Sequence, residues 1–108
     1  MTQKDLENTT QELRRGVITL AILSQLREEH YGYSLIKLLN EKGLEIDQGT
    51  MYPLLRRLHD SGLLDSEWNV EGSRPRRYYQ ISADGLKVLD VLQVEWEKLV
   101  DVMKGMLS

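Results

Sequence analysis

The chain has 108 residues, the size of one ordinary domain, and can bury a core without covalent staples. It has no cysteine, which excludes disulfides, thiol catalysis and Cys-ligated zinc and fits a reducing, cytoplasmic compartment. The net charge of −3 runs against the basic balance usual in a nucleic-acid binder, yet residues 53–82 hold five arginines against four acids, and residues 83–108 hold three lysines against five acids.

The first eight residues are polar and are expected to fray. No basic segment followed by an apolar run marks a signal peptide, and the longest apolar stretch, Val17 to Leu23, is too short to span a bilayer. Thr9-x-x-Glu12 has the form of a capping box and opens a predicted helix to about Glu28. Leu13, Val17, Leu20, Ala21 and Leu26 share one face; Ile18, Ile22 and Leu23 widen it, as in a helix covered on more than one side. His30 to Ser34 is a break. A second helix runs from about Tyr33 to Lys42, with Leu35, Ile36, Leu38 and Leu39 inward and Gly43 as its left-handed stop. Tyr31 and Tyr33 are expected to pack that helix against its neighbours. Leu44-Glu45-Ile46 is extended, at most an edge strand.

Asp47 to Leu64 is the most informative stretch. Asp47 has the chemistry of an N-cap and Ser61-Gly62 that of a stop. Met51, Leu54, Leu55 and Leu58 form an apolar stripe at helical spacing. Gln48, Tyr52, Arg56 and His59 fall on the other side, with Arg57 beside them and no acid until Asp60. Either the helix kinks at Pro53, or its regular part starts there with proline as the first residue. A packed helix with a cationic, hydrogen-bonding outer face suits the major groove of DNA; the bland alternative is a solvated amphipathic face.

Leu63 to Val70 alternates and carries Trp68, expected to pin this hairpin to the core. Glu71-Gly72-Ser73-Arg74 is a turn cluster, and Arg76 to Ser82 a second strand. Arg76 and Tyr78 share one strand face, Arg77 and Tyr79 the other, with Tyr79 expected inward. Ser82 caps a final helix, about Ala83 to Met106. Along it Leu92, Trp96, Leu99, Met103 and Met106 step by four and three, close to a heptad seam long enough to pair with one partner helix.

Three helices and a hairpin, in that order, are the order of a winged helix-turn-helix. The expected fold is mainly α with a small β-hairpin: a winged helix-turn-helix DNA-binding region over residues 1–82, then a long C-terminal dimerisation helix over 83–108. Gln48, Thr50, Tyr52, Arg56 and Arg57 would meet base edges or phosphates, and Arg74 and Arg76 the backbone beside them. Leu92, Trp96, Leu99 and Met103 would form the dimer seam. Trp96 is read as dimer core or as a stacking wall for a flat aromatic effector, with Met103 as adaptable lining.

No arrangement of carboxylates, nucleophile and base, or phosphate-cradling glycine loop points to a catalytic site. His30 and His59 lack ligand-spaced acids, so neither a metal nor a cofactor is expected. A winged-helix adaptor that binds protein instead of DNA remains the alternative. An adaptor would favour an apolar or acidic outer helix face where Arg56 and Arg57 stand.

Y-G-Y at 31–33, G-T-M-Y-P-L-L-R-R-L at 49–58 followed by S-G-L-L, Trp68 and R-R-Y-Y-Q-I-S-A-D-G at 76–85 resemble the PadR family of transcriptional regulators, and L-R-R-G-V-I-T-L-A-I-L at 13–23 is similar to the family's first helix. With a single C-terminal helix the chain resembles the short subgroup. The resemblance implies a homodimeric repressor whose C-terminal helices make the dimer interface. It implies that Tyr52 and the basic residues after it contact double-stranded DNA, and that a small hydrophobic or aromatic inducer weakens operator binding. Some relatives hold a flat aromatic ligand at the dimer interface.

Overall fold

A computed structural model describes residues 1–108. The first helix, α1 (Gln3–Gln25), starts well before the expected point. Its capping box is Thr2 and Asp5: the Thr2 hydroxyl accepts the Asp5 N–H, and the Asp5 carboxylate accepts the Thr2 N–H. Thr9 is inside the helix, its hydroxyl donating to the Asp5 carbonyl one turn back, so it caps nothing. Residues 3–8 are therefore helical rather than frayed. Ile18, Ile22, Leu23 and Leu26 face the core, while Leu13 is 80% exposed.

A two-residue strand, β1 (His30–Tyr31), leads directly into α2 (Gly32–Glu41). The turn after α2 is closed by Gly43 at φ 100°: the Leu44 N–H donates to the Leu39 carbonyl at 2.9 Å and the Gly43 N–H to that of Asn40 at 3.0 Å. Leu44 to Asp47 forms no strand. Besides the Leu44 N–H, the Ile46 N–H anchors it by donating to the Asn40 side chain, and the segment is the turn of the helix-turn-helix.

Helix α3 (Gln48–Asp60) is capped by the Asp47 carboxylate, which accepts the Thr50 N–H at 2.8 Å. The helix runs unbroken through Pro53, which lies in its second turn and is not its first residue. Only one backbone donor is lost there. Gly62 at φ 81° ends the turn, with the Leu63 N–H on the Leu58 carbonyl. Met51, Leu54, Leu55 and Leu58 are buried, as their spacing predicts.

The wing is β2 (Leu64–Asn69) and β3 (Arg76–Ile81), antiparallel, with Ser66 opposite Tyr79 and Trp68 opposite Arg77. It is not a free hairpin. Strand β1 adds to the far side of β3, pairing His30 with Tyr79 and Tyr31 with Tyr78, so the sheet has three strands in the order β1-β3-β2. Tyr79 turns inward as expected. Ser82 caps α4 (Ala83–Leu107) by accepting the Gly85 N–H at 2.9 Å.

The core lies where α1, α2, α3 and the inner face of the sheet meet. Ile22, Leu23, Leu26, Leu35, Met51 and Leu55 are its fully buried members. Each contributes about 1.5–3 kcal/mol by leaving water. Helix α4 joins this core only through its first turns, where Leu89 is buried. No helix is long and apolar enough to cross a membrane.

Candidate nucleic-acid interface

Four arginines line one groove between α3 and the wing: Arg56 from α3 and Arg74, Arg76 and Arg77 from the wing. Tyr52 lies between them, and Tyr33 and Trp68 form the rim. No carboxylate lines this groove. The one arginine–carboxylate pair in the molecule is Arg15–Glu12, and His59 lies 3.6 Å from Asp60, so none of these four guanidinium groups is neutralised by an acid. Net charge had concealed this, because the acids lie elsewhere on the surface.

The groove's walls are fixed by packing. Gly32, buried at the start of α2, lies against the Tyr52 ring, and a Cβ there would collide with it. Next to it in sequence, Tyr31 stacks on Tyr78 with ring centroids 3.9 Å apart. The Arg76 guanidinium sits 5.2 Å from the centre of the Tyr31 ring, a cation–π distance. The Asn69 amide donates to the Tyr31 hydroxyl at 3.2 Å, tying the end of β2 to the same ring. The hydrogen bond with Tyr31 pushes the Tyr78 hydroxyl above its usual range. Arg76 is thereby oriented by an aromatic face rather than by a carboxylate, and its charge stays available.

Arg77 differs. It shares the inner wing face with Tyr79, as alternation requires, and is half-buried. Its guanidinium donates to the Ser66 hydroxyl through Nε at 3.1 Å and Nη2 at 2.9 Å, and Nη2 reaches His59 Nδ1 at 3.4 Å. It also covers the Tyr79 ring at 5.1 Å and lies 5.9 Å from Trp68. Its first role is to join wing and α3.

The other residues singled out from sequence fall outside this groove. Gln48 and Thr50 are exposed in the first turn of α3. Arg57, although adjacent to Arg56, turns to the groove between α3 and α1. Two residues expected in packing roles lie instead on the rim: Trp68 is 62% exposed and does not pin the wing to the core, and Tyr33 is 66% exposed. Their reassignment was not legible in sequence, because an aromatic at a core-like spacing looks the same whether or not another element covers it. Far from the groove, Leu92 is half-buried on α4, whereas Trp96, Leu99 and Met103 are each more than 40% exposed.

Comparison with known proteins gives this arrangement a context. Residues 19–91 match the model of the transcriptional regulator PadR-like family. A transcriptional regulator of Mycobacterium tuberculosis is 37% identical over 79 residues, covering 72% of this chain and 74% of its own. The crystal structure of a PadR family transcriptional regulator from Eggerthella lenta is 44% identical, with a TM-score of 0.89 over 97% of this chain and 94% of that one. A PadR family transcription regulator from Clostridium difficile is 31% identical, with a TM-score of 0.76 over 84% and 98%. The family consists of transcriptional regulators and not enzymes, and the winged helix described above is its fold. With the matched region spanning both helices of the turn-linked pair, the wing and the start of α4, this chain belongs to the PadR-like family of transcriptional regulators.

Proposed function

We propose that the protein is a homodimeric repressor that binds double-stranded DNA, with α3 in the major groove and the wing on the flanking backbone. The carrying observation is the acid-free groove in which Tyr52, Arg56, Arg74 and Arg76 converge. Arginine forks match phosphate and guanine edges, and Tyr52 adds a hydroxyl to the same groove. A protein-binding adaptor would favour an apolar or acidic face where Arg56, Arg74 and Arg76 stand free of acids.

Dimerisation is supported by what α4 leaves uncovered. Val91, Val94, Trp96, Leu99, Val102 and Met103 are exposed along it beyond the buried Leu89, together with Leu6 and Leu13 on α1. An apolar surface of that extent on two neighbouring helices needs a cover, and a second copy supplies the same stripes in reverse. In such a dimer Trp96 and Met103 lie where a flat aromatic effector would enter and loosen DNA binding.

Selection of bound sequences from random duplexes tests the reading. A two-fold symmetric site is the expected result, with affinity falling steeply as salt rises. Failure to enrich any duplex, or binding indifferent to salt, would refute DNA recognition. For the effector, planar aromatic compounds are titrated against a Trp68→Phe variant, leaving Trp96 as the reporter. Unchanged fluorescence with unchanged DNA affinity would remove the effector from the proposal.

A further inference from the structure

We propose that Arg14 and Arg15 of α1, together with Arg57 of α3, grip the phosphate backbone on the flank of α3 away from the wing, so that the recognition helix lies between two arginine edges. The inference rests on the DNA reading above and extends it to a helix that the motifs did not implicate.

The three guanidinium groups line a single groove between α1 and the first turns of α3. Arg56 and Arg57 are consecutive, so about 100° of helical rotation separates them and sends one to each side of α3. Arg14 is held in place by a neutral acceptor: its guanidinium donates to the Glu45 backbone carbonyl. It therefore has a fixed position without losing its charge. Arg57 has no acidic partner, and Arg15 has one exposed pairing, with Glu12 at 3.2 Å. Such surface pairs are weak and exchange readily for phosphate.

Two further carboxylates belong to this groove, those of Glu45 and Asp47. Asp47 faces the α3 N-terminus, where its charge meets the helix dipole and the Thr50 N–H. This flank is thus less cationic than the wing side. Its contribution is directional, from arginine forks of fixed origin, and it carries no base readout.

The test is the salt dependence of binding to a selected duplex and to a random one, measured on full-length protein. Arg15→Ala is the primary variant, since its side chain pairs only with Glu12 and is 70% exposed. It should weaken both duplexes by the same factor and flatten the salt slope by roughly 0.9 for each lost phosphate contact, hence by roughly 1.8 for a dimer. Arg14→Ala combined with Arg15→Ala should flatten it about twice as much. Glu12→Gln frees Arg15 from its pair and should strengthen binding to both duplexes. Slopes and affinities equal to wild type in Arg15→Ala and in the double variant, while Arg76→Ala still weakens binding, would overturn this inference and leave the DNA reading intact. Wild-type protein that binds neither duplex would overturn both.

Discussion

The ring of Tyr52 rests on the α-carbon of Gly32, so the first residue of α2 and the second turn of α3 are in direct contact through a position where no side chain fits. Gly32→Ala should push the ring aside, because overpacking at such a contact costs about 1–3 kcal/mol when the neighbour cannot retreat. Tyr52 is partly exposed and can swing outward. The expected outcome is therefore a small fall in melting temperature with a larger loss of DNA affinity. A variant that binds DNA as wild type would show that the placement of this ring is immaterial to binding.

The arginines of the wing should separate into two behaviours. Arg56→Ala and Arg76→Ala should each weaken DNA binding by about 1–3 kcal/mol where the lost contact is to a base, and less for phosphate alone. Neither should change the melting temperature much, since neither side chain is hydrogen-bonded within the protein. Arg77→Ala should instead destabilise the fold by about 1 kcal/mol, because it removes the two hydrogen bonds to Ser66 and the contact with His59. Thermal melts run beside gel shifts distinguish the two classes.

Gly85 is pressed against the Leu63 carbonyl and the Ile81 side chain, and its N–H is held by Ser82. Gly85→Ala would drive a methyl group into backbone, which cannot swing away. A loss of about 3 kcal/mol or more is expected, lowering the melting temperature by roughly 4–8 °C per kcal/mol in a domain of this size. Calorimetry showing wild-type stability would contradict the packing at this junction.

Replacing Leu99 and Met103 together with Asp places two charges on the exposed apolar stripe of α4. Leu99 is about half exposed in the single chain, so that chain tolerates a charge there, whereas a buried dimer seam does not. Light scattering should report monomers and gel shifts a large loss of affinity. Dimers of unchanged mass would place the interface elsewhere.

The Asp5 carboxyl is held below its usual 3.8 by the hydrogen bonds it shares with Thr2. A depressed value in the folded state means that the contribution to α1 is complete above the ordinary carboxylate range and is lost as pH falls through the depressed value. The Thr2 and Asp5 amides should accordingly shift together, and lose protection, at the acid end of an NMR titration. Asp5→Asn should abolish that coupled step.

Much of this architecture could be read from single residues. Asp47, Gly43 and Gly62 mark helix ends through chemistry that is local to each, and the two-residue alternation of the wing places Tyr79 inward. The parts that were missed depend on distant partners. Strand β1 is two residues long and exists only because β3, far along the chain, offers it an edge. The start of α1 was misplaced because Thr2-x-x-Asp5 and Thr9-x-x-Glu12 both have the form of a capping box, and only the first is used. At the interface, the arginines were legible as residue types, but their division between two grooves follows from the angle of α3 against α1 and the wing. No spacing rule supplies that angle.

The junction at the end of the wing has a mechanical consequence. The Ser82 N–H donates to the Leu63 carbonyl, its hydroxyl to the Gly62 carbonyl, and Gly85 packs directly on Leu63. The stop of the recognition helix and the root of α4 are therefore one rigid joint with no intervening linker. A helix of 25 residues is a lever roughly 37 Å long. In a twofold assembly, a few degrees of splay between two such levers would alter the distance between the paired recognition helices, which must span about 34 Å to meet successive turns of the same DNA face.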